Sequence, residues 1–143
     1  MDIIIPPPIL CVHIKRFKDY GEKITSTVRV DYNIDIKKYV IFLFLYNYLY
    51  SFILQDKQNY DYYQNTKYVI FGMTIHLGHN LRSGHYYSII RRNNIWYQCN
   101  DNKIKELKPL IDNENGYLLF DKIDKESILR NGYLFFYRKI YSV

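Results

Sequence analysis

Ser83-Gly84-His85-Tyr86-Tyr87-Ser88-Ile89-Ile90-Arg91 is the stretch whose reading decides the fold. A histidine follows a glycine and opens an alternating run of aromatic and β-branched residues, which reads as a strand with His85 at its start. Residues 95–99, Ile-Trp-Tyr-Gln-Cys, read as a second strand, and Asn100 and Asp101 follow it. The polar Arg91-Arg92-Asn93-Asn94 between them reads as the turn of a hairpin. A hairpin sets the start of its first strand beside the end of its second. His85 and Asn100 are therefore expected to be neighbours, about one strand spacing apart. A histidine beside an Asn or Asp supplies the base and the orienter of a nucleophile–base–orienter set. The same pairing also occurs as plain structure at hairpin mouths.

Outward from the hairpin stand three more blocks. Upstream are Pro8-Ile9-Leu10-Cys11-Val12-His13-Ile14-Lys15-Arg16-Phe17 and Tyr68-Val69-Ile70-Phe71-Gly72-Met73-Thr74-Ile75-His76-Leu77-Gly78; downstream is Gly132-Tyr133-Leu134-Phe135-Phe136-Tyr137-Arg138-Lys139. With Gly84-His85-Tyr86 and Trp96-Tyr97-Gln98-Cys99-Asn100-Asp101, these five blocks in this order resemble the C-terminal half of the catalytic domain of ubiquitin-specific proteases, the papain-like cysteine deubiquitinases. The family's blocks there look like P-x-I-L-x-x-x-L-K-R-F, Y-x-L-x-x-x-x-x-H-x-G, G-H-Y, W-x-x-F-[ND]-D and Y-x-L-x-Y. The resemblance covers residues 6–39 and 67–139 and leaves 40–66 unexplained.

The resemblance implies a β-rich α+β fold: the antiparallel palm sheet of a hand-shaped papain-like domain, incomplete, spanning 1–143 with a divergent insertion at about 40–67. It implies hydrolysis of the bond after the C-terminal glycine of ubiquitin. A cysteine thiolate attacks the carbonyl, a histidine moves the proton, and an Asn or Asp orients the imidazole. On this chain His85 matches the base, Asn100 the orienter and Asp101 the acidic residue after it, in a supporting role. Gly84 and Tyr86 fall in the segment beside the channel for ubiquitin's tail, where a residue without a side chain lets a peptide approach closely. The expected partners are ubiquitin or ubiquitinated proteins, together with the N-terminal half of the domain. No metal, cofactor, nucleic acid or membrane is implied, and the expected location is intracellular, cytoplasmic or nuclear.

The nucleophile is the gap. In the family it stands in a block resembling G-L-x-N-x-G-N-T-C, which these residues do not contain. Cys99 is next to Asn100 on one strand, so its side chain should point to the opposite face. Cys11 is mid-strand, with no helix N-terminus to lower its pKa. Neither suits the role, and the chain reads as a half-domain that supplies the base and orienter. The competing reading is a catalytically inactive ubiquitin-binding or scaffold module. A third, a basic aromatic module that binds nucleic acid, lacks any RNP-type strand or helix-turn-helix pattern.

The totals fit this picture. The 143 residues suffice for one domain with a core, and 48% of them are hydrophobic, so the composition is not that of a disordered chain. The net charge of +6 comes from scattered basic residues, no more than two in a row, which read as a solvated surface. The two cysteines form no disulfide framework and no C-x-x-C zinc pair, and their apolar strand neighbours suggest reduced, buried thiols. The N-terminus lacks a basic n-region and is cut by Pro6-Pro7-Pro8, so it is not a signal peptide.

Taken in order, 9–17 reads as a strand with Leu10, Val12 and Ile14 on one face, closed by Lys15 and Arg16 as a solvated end. Asp19-Tyr20-Gly21-Glu22 is a turn, 23–30 a second strand, and 31–39 carries Ile34 and Ile36 at alternate positions. Residues 40–54 are the most apolar stretch and suit a strand or a buried helix alike; they fall short of the roughly 18 residues a membrane span needs. Residues 55–67 read as an exposed loop. Residues 68–76 form a core strand, and 76–84 a loop whose histidines, His76 and His79, lie outside the Gly-His-Tyr context. Residues 103–107 form a short strand, and 121–130 a short helix or a loop, between the near-repeats Asn115-Gly116-Tyr117-Leu118 and Asn131-Gly132-Tyr133-Leu134.

Overall fold

The computed structural model describes residues 3, 5–40, 65–80, 82–108, 110–112, 117–119 and 122–141. Nine strands and one α-helix are seen among them: β1 (Ile9–His13), β2 (Asn33–Asp35), β3 (Lys67–Asn80), β4 (Ser83–Arg92), β5 (Ile95–Asn100), β6 (Lys103–Leu107), β7 (Leu110–Asp112), β8 (Tyr117–Leu119), α1 (Lys122–Asn131) and β9 (Gly132–Lys139). A single 3-10 turn, Lys37–Tyr39, follows β2. Seven strands form one sheet in the order β1-β9-β3-β4-β5-β6, with β2 also on β3, while β7 and β8 pair separately. Every ladder is antiparallel. The expected β-rich antiparallel sheet is thus present.

β3 is the spine. Its first residues pair with β9 on one side and β2 on the other, and its later residues pair with β4. Tyr68, Ile70, Met73, Ile75 and His76 are all buried. Side chains of a strand alternate, so a set that mixes both parities means that β3 is covered on both faces over its middle. Trp96, Tyr87, Ile89, Leu107, Phe135, Tyr137 and Ile128 of α1 complete the core with it. The fully buried Trp96 and β4's Tyr87 and Ile89 anchor the hairpin. The Tyr87 hydroxyl also meets Ser127 Oγ at 3.0 Å, tying β4 to α1.

The prolines act through their carbonyls. Pro6 accepts from Lys139 Nζ at 2.7 Å, Pro7 from the Tyr68 hydroxyl at 2.6 Å and Pro8 from the Lys139 amide at 2.9 Å. They therefore fasten the approach to β1 onto β3 and β9.

Several expectations need correction. The strand expected over 9–17 ends at His13, and 23–30 forms no strand: only isolated bridges join Phe17 to Lys23 and Glu22 to Asn80. The turn at 19–22 is present, with Gly21 at φ 88. The loop expected over 76–84 is mostly strand, because β3 runs to Asn80 and β4 starts at Ser83 across a register shift between Leu77 and Asn80. His76 is accordingly a buried strand residue, whereas His79 is exposed. Of the open choice at 121–130, the described residues resolve as a helix, Lys122–Asn131. Cys11 is exposed on the outer face of edge strand β1, and Cys99 is only half-buried, so neither thiol has the expected burial, although both are free. The readings of 41–64 lie outside the described residues.

Arg16 is the largest departure. It is 2% exposed, not a solvated strand end. Its guanidinium donates to Gly132 O at 2.8 Å, Leu129 O at 2.8 Å, Ser26 O at 2.7 Å and Ile24 O at 3.2 Å. Leu129 lies in the last turn of α1 and Gly132 directly follows the helix, whose last carbonyls have no partner within it. Arg16 supplies one and sets a positive charge at the negative end of the helix dipole. Lys15, beside it, is exposed as expected.

Candidate active site

The hairpin closes through Asn93 and Asn94, with φ of 49 and 64. The turn is thus two residues long, and Arg91 and Arg92 belong to β4. Two consecutive positive φ values are what a mirror-image hairpin turn needs, and asparagine tolerates that region better than other side chains. Arg91 Nη2 donates to Asn94 Oδ1 at 2.9 Å across the turn. From there the register is fixed: Arg92 pairs with Ile95, Ile90 with Tyr97 and Ser88 with Cys99.

One further step sets Asn100 opposite Tyr87, and His85 lies two residues on, on the same face. The two are diagonal neighbours, not directly opposite. The reach is still sufficient, since His85 Nε2 and Asn100 Oδ1 are 2.5 Å apart. An amide oxygen only accepts, so the ring must donate from Nε2–H. In the neutral imidazole this leaves Nδ1 bare, with its lone pair free to take a proton. Both residues are half-buried. The expectation that the hairpin makes them neighbours is met.

Asp101 follows directly, exposed in the turn to β6 with φ 50. Cys99, one residue before Asn100, faces away by strand alternation and pairs with Ser88 and Ile104. Cys11 lies in β1, with β9 and β3 between it and β4. Neither thiol joins the His85–Asn100 pair.

Gly84 has a packing reason that sequence reading missed. A Cβ there would fall on His76 Nε2 and stand 2.5 Å from Leu77 O. Gly78, at φ 139, closes the same gap from β3: a Cβ on it would lie 2.6 Å from Ser83 O and 2.9 Å from Gly84 Cα. Two glycines therefore let β3 and β4 close tightly just before His85. The outer side of Gly84 is open to solvent. Tyr86 is 47% exposed. Its ring lies 4.5 Å from that of His76 and 6.1 Å from that of Tyr133.

Beneath this surface sit groups that patterning did not single out. Lys23 is buried; its Nζ donates to His76 O and, at 2.7 Å, to Asn131 Oδ1. Burial, and then the charge of Arg16, hold its pKa below the ordinary value. Burial also lowers that of Arg16. Burial, and secondarily the Lys23 ammonium, push His76 below the usual histidine range. Nothing in the local pattern marks Arg16 or Lys23 as buried, because Gly132 O, Leu129 O and Asn131 Oδ1, which accept from them, lie more than a hundred residues away.

The sequence matches the family described as ubiquitin carboxyl-terminal hydrolase over residues 1–137. Among curated proteins it is 28% identical over 124 residues to ubiquitin carboxyl-terminal hydrolase 23 of Arabidopsis thaliana, covering 85% of this chain and 12% of that protein. It is 30% identical over 124 residues to ubiquitin carboxyl-terminal hydrolase 25 of the same plant, covering 84% of this chain and 16% of that one. The chain therefore spans a small part of these relatives' length. Among solved structures, 96% of it aligns with 25% of a chain in the SAGA Ubp8/Sgf11/Sus1/Sgf73 DUB module bound to ubiquitin aldehyde, with TM-score 0.59 and 17% identity, a likeness of fold. Among the described residues, no helix is long and apolar enough to cross a membrane.

Proposed function

The chain belongs to the ubiquitin carboxyl-terminal hydrolase family, and from that premise we propose that it carries the base half of a deubiquitinating cysteine protease site. His85 is the general base and Asn100 its orienter. The observation that carries this reading is the 2.5 Å His85–Asn100 hydrogen bond. It fixes the imidazole in the tautomer whose Nδ1 takes a thiol proton. The thiolate adds to the carbonyl after ubiquitin's C-terminal glycine, and the imidazolium returns the proton to the leaving amine as the C–N bond breaks. Water then hydrolyses the thioester by the same base. Asp101 supports Asn100 from the following turn, and Gly84 and Tyr86 line the path of ubiquitin's tail.

The reacting thiol is neither Cys11 nor Cys99, since the first is separated from β4 by β9 and β3 and the second faces away from Asn100. That same placement favours a second reading, a module that binds ubiquitin without cleaving it. One assay separates the two. The protein, in the longest form its gene encodes, is given a ubiquitin–fluorophore substrate. Activity that falls by about a hundredfold or more in His85→Ala, and that survives Cys11→Ala and Cys99→Ala, supports the protease. Ubiquitin binding with no turnover supports the second reading. Full activity in His85→Ala overturns the base assignment.

A further inference from the structure

We propose that His76 is a positioning residue for the catalytic base: its buried ring is the floor on which the Gly84–His85 backbone rests, and it sets where the His85 imidazole stands. The proposal rests on the reading of His85 as the base.

His76 is 1% exposed, the most buried histidine of the chain. Its ring lies between the two glycines that close the β3–β4 hairpin. A Cβ on Gly84 would collide with Nε2 and stand 2.8 Å from Cε1, and one on Gly78 would stand 3.4 Å from Cε1. Gly84 precedes His85 directly, so any movement of this ring displaces the base. The ring is gripped in turn by Tyr86, Phe17 and Tyr133, with centroids 4.5, 5.3 and 6.4 Å away. Its backbone carbonyl is held by Lys23 Nζ.

Such an aromatic cage would accept phenylalanine, and His76 Nδ1 is buried without a hydrogen-bond partner. A buried orphan polar atom carries a cost, and a bare lone pair is a cheaper orphan than an N–H. The proton therefore belongs on Nε2, the nitrogen against Gly84. Burial and the neighbouring Lys23 charge keep the ring neutral.

The test uses the protein in its longest encoded form. It compares His76→Ala and His76→Phe with Met73→Ala, a buried position on the same strand that pairs with Ile89, away from Gly84. Turnover, KM and melting temperature are measured, with the imidazole 1H–15N signals of His85. His76→Ala should lower kcat by about a hundredfold while KM stays within about twofold, because a base displaced by an ångström costs that much. His76→Phe restores the floor and should recover kcat to within about tenfold of wild type. The His85 signals should move in His76→Ala and stay in place in Met73→Ala. If alanine at 76 prevents folding, His76→Leu is held to the same thresholds. The proposal is overturned if the His76 variants lose no more kcat than a Met73→Ala protein of equal melting temperature, or if the His85 signals do not move. His85→Ala runs alongside. If it retains activity, the base assignment falls; if it is inactive while His76→Ala is active, only the positioning role falls.

Discussion

The β4–β5 hairpin and the segment 16–30 border the same end of the sheet, and they are built on opposite principles. The hairpin is local. Its two-residue turn fixes a register, and the register carries His85 to Asn100 within fifteen residues of chain. The segment 16–30 has almost no ladder of its own. It is held by Arg16 and Lys23, which reach carbonyl and amide oxygens at the C-terminal end of α1 and on β3. One region takes its geometry from backbone periodicity, the other from buried cations used as long-range rivets.

The largest expected effect tests the second region. Arg16→Leu removes the donor for four carbonyls; the Val28 amide still reaches Leu129 O, but Gly132 O loses its buried guanidinium partner. Each buried unsatisfied acceptor costs on the order of 1–3 kcal/mol, so the variant should lose at least about 2 kcal/mol in a urea melt. Arg16→Lys should not rescue it, because an ammonium cannot reproduce the planar fork. A melt within about 0.5 kcal/mol of wild type, the range of ordinary surface substitutions, would break the comparison and return Arg16 to the solvated end that sequence suggested.

That contrast explains what could be read beforehand. The β-rich sheet, the hairpin and the His85–Asn100 pairing follow from alternation and turn chemistry, which act over a few residues. Arg16, Lys23 and His76 escaped because their environments are assembled from distant segments. A basic residue after a strand looks solvated whether or not a helix end waits for it. In the sequence His76 reads as a loop residue, because Gly78 and Gly84 look like loop punctuation. In the fold they are instead the places where two strand backbones close on a ring.

A smaller effect concerns pH. The pKa of His76 is lowered from its ordinary 6.5 by burial and by Lys23. The unfolded chain then binds a proton at 76 more readily than the folded one. Stability from this group is fully present above 6.5 and is lost as pH falls from there to the folded value. The stability of wild type relative to His76→Phe should therefore decline on acidification below 6.5 in paired melts. A constant difference between the two proteins from neutral to acidic pH would show that position 76 does not titrate between them.

The smallest expected effect probes the local region. Asn93 and Asn94 have φ of 49 and 64. Asn-Gly is the pair that a mirror-image turn accepts best, because glycine enters that region without steric cost. Asn94→Gly therefore relieves the turn, but it frees the unfolded chain and removes the exposed 2.9 Å bond from Arg91. These terms nearly cancel, so stability should change by no more than about 0.5 kcal/mol. Asn94→Val keeps the same loss of hydrogen bond and adds a β-branched side chain where φ is positive, which costs on the order of 1–2 kcal/mol. The difference between glycine and valine isolates the backbone conformation from the side-chain bond. If the two variants melt together, the turn is not held in the left-handed region, and the register that delivers Asn100 to His85 must be set by the Trp96 core instead. If valine alone lowers stability, the turn carries the register, and the hairpin is as local as its sequence implies.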